Sequence, residues 1–350
     1  MTSWQLDTFC VGAGSLLFTV GLIAFGYFQP DDWGQTAFAG EIVIANILIN
    51  WPHFLASYRI LYRTKANVTR HWFVSVLLPA SLLALFVYAL MTADQNPPEQ
   101  SGLARQTVID LLYPFGVLLL AWHYTGQSWG MTSAFAFISG VRFTNTERFL
   151  IRSGYRALLW FHVLWVLTEF DIQQILNYIY PGLDYLTLQV YEFWIIPICV
   201  TFVMGLAGFT MVYRRHGSLP PRAWIPWLAT FGWYLIIWLY PAFFFVLQIA
   251  HALQYLVFPL RVEANIYAER TSSPAGKVLR YTLGYYVCLV LVGAIVFDGI
   301  RYASTSVDPH LQLSALLSVI INIHHYFTDG VIWKIRRPEV RKQLFGHIPS

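Results

Sequence analysis

The chain has 350 residues, of which 57% are hydrophobic and only 11% charged, with a formal net charge of +4. Soluble domains carry roughly 25% charged residues, so this balance excludes an ordinary soluble fold and marks an integral membrane protein. No hydrophilic stretch is long enough for a second folded domain; residues 1–350 read as one polytopic domain with a basic tail at 334–350, and nucleic acid is not an expected partner.

A helix that crosses a bilayer needs about 20 apolar residues. Segments that could span lie at about 9–28, 37–61, 72–92, 107–138, 148–169, 187–212, 222–240, 242–260, 278–298 and 310–333. The first has no basic start and no A-x-A cleavage site, so it is expected to remain as a helix rather than to be removed as a signal. Basic clusters then orient the chain. Arg59, Arg63, Lys65 and Arg70 mark one cytoplasmic loop, Arg142, Arg148 and Arg152 a second, Arg214, Arg215 and Arg222 a third, and Arg261, Arg270, Lys277 and Arg280 a fourth. Lys334, Arg336, Arg337, Arg341 and Lys342 form a fifth. Loops with Asp31-Asp32, Asp94 to Glu99 and Asp171 to Asp184 belong on the opposite side.

Between Arg222 and Arg261 there is no polar loop, so the chain must cross twice around a tight turn near Tyr240-Pro241 or re-enter; Pro241 is where the helix should break. The expectation is an all-α bundle of about ten transmembrane helices in the inner (plasma) membrane with both termini cytoplasmic; eight or nine helices also fit. No internal repeat is visible. Cys10, Cys199 and Cys288 lack C-x-x-C spacing and are expected to be buried structural thiols.

Within these apolar segments sit His53, His123, His251 and the pair His324-His325, each beside a second polar residue. An ionisable side chain at membrane depth is costly without a partner and is a functional candidate by default. In the ten-helix topology their four helices run the same way. His53, His251 and His324 lie about six to ten residues before the next basic cluster, roughly 9 to 15 Å along the helix axis. His123 shares that level only if its helix ends or bends early, at Gly126 or Gly130. Asn50, Gln127, Gln254 and Asp329 fall three or four residues from a histidine, on the same helix face, where they can orient a ligating ring.

Neutral imidazole suits iron, copper or zinc, and a bundle core lets each helix contribute one ligand. The expected metal ligands are His53, His123, His251 and His324, with His325 as a proton relay and Asp329 and Gln127 steering a bound water or substrate; the reverse roles for His324 and His325 fit almost as well. His162, with Glu169 on the same face, is the rival ligand. His71, His216, His310 and His347 sit at segment ends or in loops. There is no H-E-x-x-H, no H-x-x-H-H cluster, no Walker A and no G-x-S-x-G, which disfavours those reaction classes. Trp51, Trp122, Tyr124, Trp129, Tyr255, Tyr326, Phe327 and Trp333 fall near the histidines, as core packing or as the lining of a tunnel for a long apolar substrate.

The run Trp51-Pro52-His53-Phe54, the dipeptide His123-Tyr124 and the stretch from Phe243 through His251 to Tyr255 resemble the Brp/Blh-type bacterial membrane carotenoid dioxygenases. That resemblance implies a polytopic helical protein holding non-haem iron by histidines alone, with O₂ cleaving a polyene double bond; His53, His123 and His251 carry over as ligands. The family's later helix has two histidines at i and i+4, where this chain has His251 and then Tyr255. The segment with His324 and His325 would then supply the missing ligand.

The function expected is therefore a membrane oxidoreductase, an Fe(II) oxygenase acting with O₂ on a lipophilic substrate drawn from the membrane lipids, with Cu or Zn as alternative metals. The alternatives are a transporter or channel with an intramembrane His/Asn/Asp relay, or a lipid transferase using one buried histidine as base.

Overall fold

A computed structural model describes residues 4–28, 44–91, 98–169, 172–298, 309–334 and 337–345. The loops expected at Asp31-Asp32 and at 94–97, together with Arg336 and His347 of the tail, lie outside the described residues. All regular structure among the described residues is helical. The helices are α1 Gly14–Phe28, α2 Trp51–Leu61, α3 Lys65–Arg70, α4 Leu78–Met91, α5 Pro98–Ile138, α6 Asn145–Glu169, α7 Ile172–Ile179, α8 Leu183–Phe193, α9 Ile195–His216, α10 Pro221–Leu239, α11 Phe244–Thr271, α12 Ala275–Gly293, α13 Pro309–Ile332 and α14 Pro338–Phe345. Among them, two stretches are long and apolar enough to cross a membrane by length and composition: Leu183–His216, through α8 and α9, and Ala275–Phe297, through α12.

Where the expected segments meet the observed ones, prolines and glycines explain the differences. The break at Tyr240-Pro241 is present: α10 stops at Leu239, a single tight turn covers Pro241–Phe243, and α11 begins at Phe244. Helix α5, by contrast, runs on through Gly126 and Gly130 to Ile138, so the early end that would bring His123 to the common level does not occur. A glycine inside a helix costs only about 1 kcal/mol. What ends α5 is Gly140 at φ +77°, which lets Val141 N–H reach back to Ala136 C=O.

The chain divides into two compact units, one built from 35–116 and 251–350 and the other from 2–34 and 117–250. In the first, α2 packs against both α12 and α13, and α13 also packs against α4. Gly293 makes the α12 contact close: a Cβ there would lie 2.7 Å from Trp51 Cβ, and Trp51 stacks on Phe297 at 4.4 Å.

Two prolines shape this unit. Just before Pro52 the chain makes a wide turn, Asn46–Asn50, closed by Trp51 N–H bonding five residues back to Asn46 C=O. An equivalent turn, Phe73–Leu77, precedes Pro79. Proline has no N–H to return to the carbonyl four residues earlier, and other groups supply the missing donor. Tyr286 hydroxyl donates to Leu48 C=O, four residues before Pro52. Tyr62 hydroxyl donates to Ser75 C=O, four residues before Pro79.

In the second unit, α6 packs along α9 and beside α8. Helix α6 opens with reciprocal bonds between Thr144 and Glu147, each side chain accepting from the other's backbone N–H. Glu147 also holds Arg215 at the end of α9 (2.7 Å). Indole N–H groups tie the interior: Trp227 donates to Ile151 C=O, Trp194 to Ala157 C=O and Trp233 to Ser15 Oγ.

Both units carry large apolar side chains on outward faces. On α12, Leu279, Leu283, Val287 and Leu291 form an exposed stripe one turn apart; on α9, Ile196, Val200, Val203 and Leu206 are exposed. The cysteines follow these faces: Cys10 is buried, but Cys199 and Cys288 are exposed, contrary to the expectation of three buried thiols. They lie in apolar sequence because the helix surface itself is apolar.

Candidate metal centre

Three of the histidines meet in the first unit, each from a different helix. His53 follows Pro52 in the first turn of α2, His251 comes from α11 and His325 from α13. They are 0%, 2% and 0% exposed. One ligand nitrogen from each lies within 4.8 Å of the others. The ring centroids of His53 and His325 are 4.5 Å apart at 78°, and those of His53 and His251 are 5.3 Å apart at 80°. These rings meet edge to face instead of stacking.

Asp329, one helical turn after His325, closes the group. Its Oδ2 lies 3.5 Å from His325 Nε2 and 3.9 Å from His53 Nε2, and the residue is 3% exposed. Aromatic walls surround these four residues. Tyr255 lies 5.8 Å from both His53 and His251, stacked on the latter at 24°, and Phe54 packs over His325 at 4.4 Å.

The strongest sign of a missing partner is His53. Both of its ring nitrogens are buried, and neither makes a hydrogen bond. A buried polar group left unsatisfied costs about 1–3 kcal/mol, so a ring with two such atoms is poorly explained as packing. A metal ion would satisfy one nitrogen outright, and the Asp329 carboxylate offsets part of its charge. Neutral imidazoles beside one carboxylate, in a water-poor pocket, suit first-row transition metals.

His324, the expected ligand of the adjacent pair, is placed elsewhere. Its Nε2 donates to Val74 C=O at 2.8 Å, in the wide turn before Pro79, and its ring stacks on Tyr58 at 5.0 Å and 20°. Consecutive residues on a helix point about 100° apart. With His324 held by the proline-disturbed backbone of that turn, His325 is the one directed into the cluster.

Asn50, expected to orient His53, donates its amide N–H to Asn46 Oδ1 at 3.0 Å, and its own Oδ1 is buried without a hydrogen bond. Gln254 is fully buried three residues after His251. His123 and Gln127 lie in the second unit on α5, 4% and 8% exposed. His162, the rival ligand, is also in the second unit, where its Nδ1 bonds Tyr234 hydroxyl at 2.9 Å between Trp165 and Phe244. Sequence reasoning gave no site role to Ser57, Tyr58 or Phe54. Ser57, buried with an unbonded hydroxyl, had a usable signal, since it stands four residues after His53 as Tyr255 does after His251.

No family model, curated protein or solved structure matches this chain. The chemistry of the site rests on its own residues.

Proposed function

We propose that the protein is a membrane-embedded metalloenzyme that binds Fe(II) through His53, His251 and His325 and uses O₂ to oxidise a lipophilic substrate. The observation that carries this reading is the convergence of three buried imidazoles from three helices on one point beside Asp329. His325 takes the ligand role and His324 a structural one.

Each group has a distinct task. The imidazoles of His53, His251 and His325 would hold the ion, and a bound iron would supply Lewis-acid and electron-transfer chemistry toward O₂. Asp329 accepts a ring N–H or holds a proton beside the ion. The aromatic walls exclude water and present apolar surface to a long hydrocarbon. Outward stripes of leucine and valine on α9 and α12, within the two stretches long and apolar enough to cross, support a bilayer setting. The resemblance to the Brp/Blh-type carotenoid dioxygenases implies oxidative cleavage of a polyene as the reaction.

Metal analysis of the purified protein tests the reading. The wild type should carry about one iron per chain, His53→Ala, His251→Ala and His325→Ala should each lose it, and His324→Ala and His162→Ala should keep it. Wild-type protein without a transition metal, or uniform retention by all variants, would sink the proposal.

A further inference from the structure

A second cavity in the first unit differs in chemistry from the histidine cluster. It encloses about 270 Å³ where the end of α2, the loop to α3, the end of α13 and α14 come together. Its rim carries Arg63, Arg70, Arg337, His71, Asn67 and Gln343. Its floor is apolar, formed by Leu61, Ile332 and Trp333.

Charge is unevenly neutralised around it. Glu263 is 3% exposed and is bound by both Arg59 and Arg63. Arg70 and Arg337 have no carboxylate partner within ion-pair distance among the described residues. Arg337 instead donates to His71 Nε2 at 3.0 Å, an arrangement that needs the imidazole neutral. The same positive field shows at His71, whose pKa is lowered first by burial and then by Arg337, Lys334 and Arg70. The one acid lining the cavity, Glu339, is exposed.

We propose that this cavity is a phosphate-binding site. Two guanidinium groups offer planar forks of N–H donors matched to phosphate oxygens, and the Gln343 amide adds to them. The volume accepts a headgroup-sized anion and is too small for a folded partner's surface. An apolar floor under a basic rim suits the phosphate of an anionic phospholipid, and the same donors would take a water-soluble phosphate. The floor also adjoins the histidine cluster: Trp333 packs edge-on against Tyr255 at 5.5 Å, and Tyr255 stacks on His251. The proposal does not depend on a metal being bound there.

The test uses the full chain in detergent, with two probes. Native mass spectrometry compares retention of phosphatidic acid with phosphatidylcholine of the same acyl chains, and equilibrium dialysis measures inorganic phosphate. Preference for phosphatidic acid alone identifies a lipid source, and uptake of inorganic phosphate as well identifies a soluble one; both support the site. A result with neither a preference for phosphatidic acid nor uptake of inorganic phosphate overturns it. The double variant R70Q/R337Q should bind roughly ten-fold more weakly or worse, as loss of charge-assisted hydrogen bonds implies; unchanged affinity overturns the assignment. E339Q removes a surface acid without touching the interior and should tighten binding roughly three-fold, whereas weaker or unaltered binding counts against the site. R142Q, in the other unit, should change nothing; a loss equal to that of R70Q/R337Q would show non-specific attraction and overturn the proposal.

Discussion

The two units bury histidine in opposite ways. In the second, His162 is 1% exposed and has a dedicated partner, Tyr234 hydroxyl, within a cage of aromatic rings. In the first, His53 is at least as buried, has no hydrogen bond, and faces two more imidazoles and a carboxylate. Burial is therefore no guide to role, and the partner decides. The fold gives His162 a bond at Nδ1 and leaves only Nε2 buried without one, whereas His53 has neither nitrogen bonded and is surrounded by other nitrogen and oxygen ligands.

The largest expected effect separates these two cases directly. His53→Ala should lower metal affinity by more than 100-fold, beyond the roughly 10–100-fold typical of supporting residues, while His162→Phe leaves metal content intact; plasma emission spectrometry of both proteins reads the difference. Equal losses would erase the distinction. Asp329→Asn keeps shape and removes charge, so binding should weaken roughly 10–100-fold in a chelator competition, with the fold unchanged by circular dichroism. Tyr234→Phe should leave metal alone but destabilise by about 1–3 kcal/mol, because it strands His162 Nδ1; denaturant unfolding in detergent measures it.

The smallest effect is a pH dependence confined to the second unit. Burial would raise the Glu147 carboxyl above its ordinary 4.5, but the hydrogen bond from Arg215, those from Thr144 and the Arg215 charge outweigh it and hold it below. Folding then favours the ionised form, so the stability it adds is complete above pH 4.5 and is lost as the pH falls through the lowered folded value. Thermal unfolding from pH 7 to 3 should show this slope in the wild type and a flatter one in Glu147→Gln.

Much of this arrangement is legible in the residues themselves. Composition and hydropathy lead to an all-helical chain, and Pro241 marks a break because a proline acts locally. Burial of His53, His251 and Asp329 follows from their apolar surroundings. The division of labour between His324 and His325 is different, because it depends on Val74 C=O, 250 residues away, and no periodicity along α13 reports that. Gly126 and Gly130 look like breakers in the sequence, yet a Cβ at either would meet no atom within 4 Å, so nothing in the surroundings forces a bend.

The wide turn at Asn46–Asn50 sets the angular phase of everything after it. One extra residue in a helical turn rotates the following side chains by about 100° relative to an uninterrupted helix. His53 stands three residues beyond it, so its heading is timed by Asn46–Asn50 much as a gear is timed by a single added tooth. Removing one residue from the turn should swing His53 off the meeting point of the three imidazoles without altering any residue that forms it.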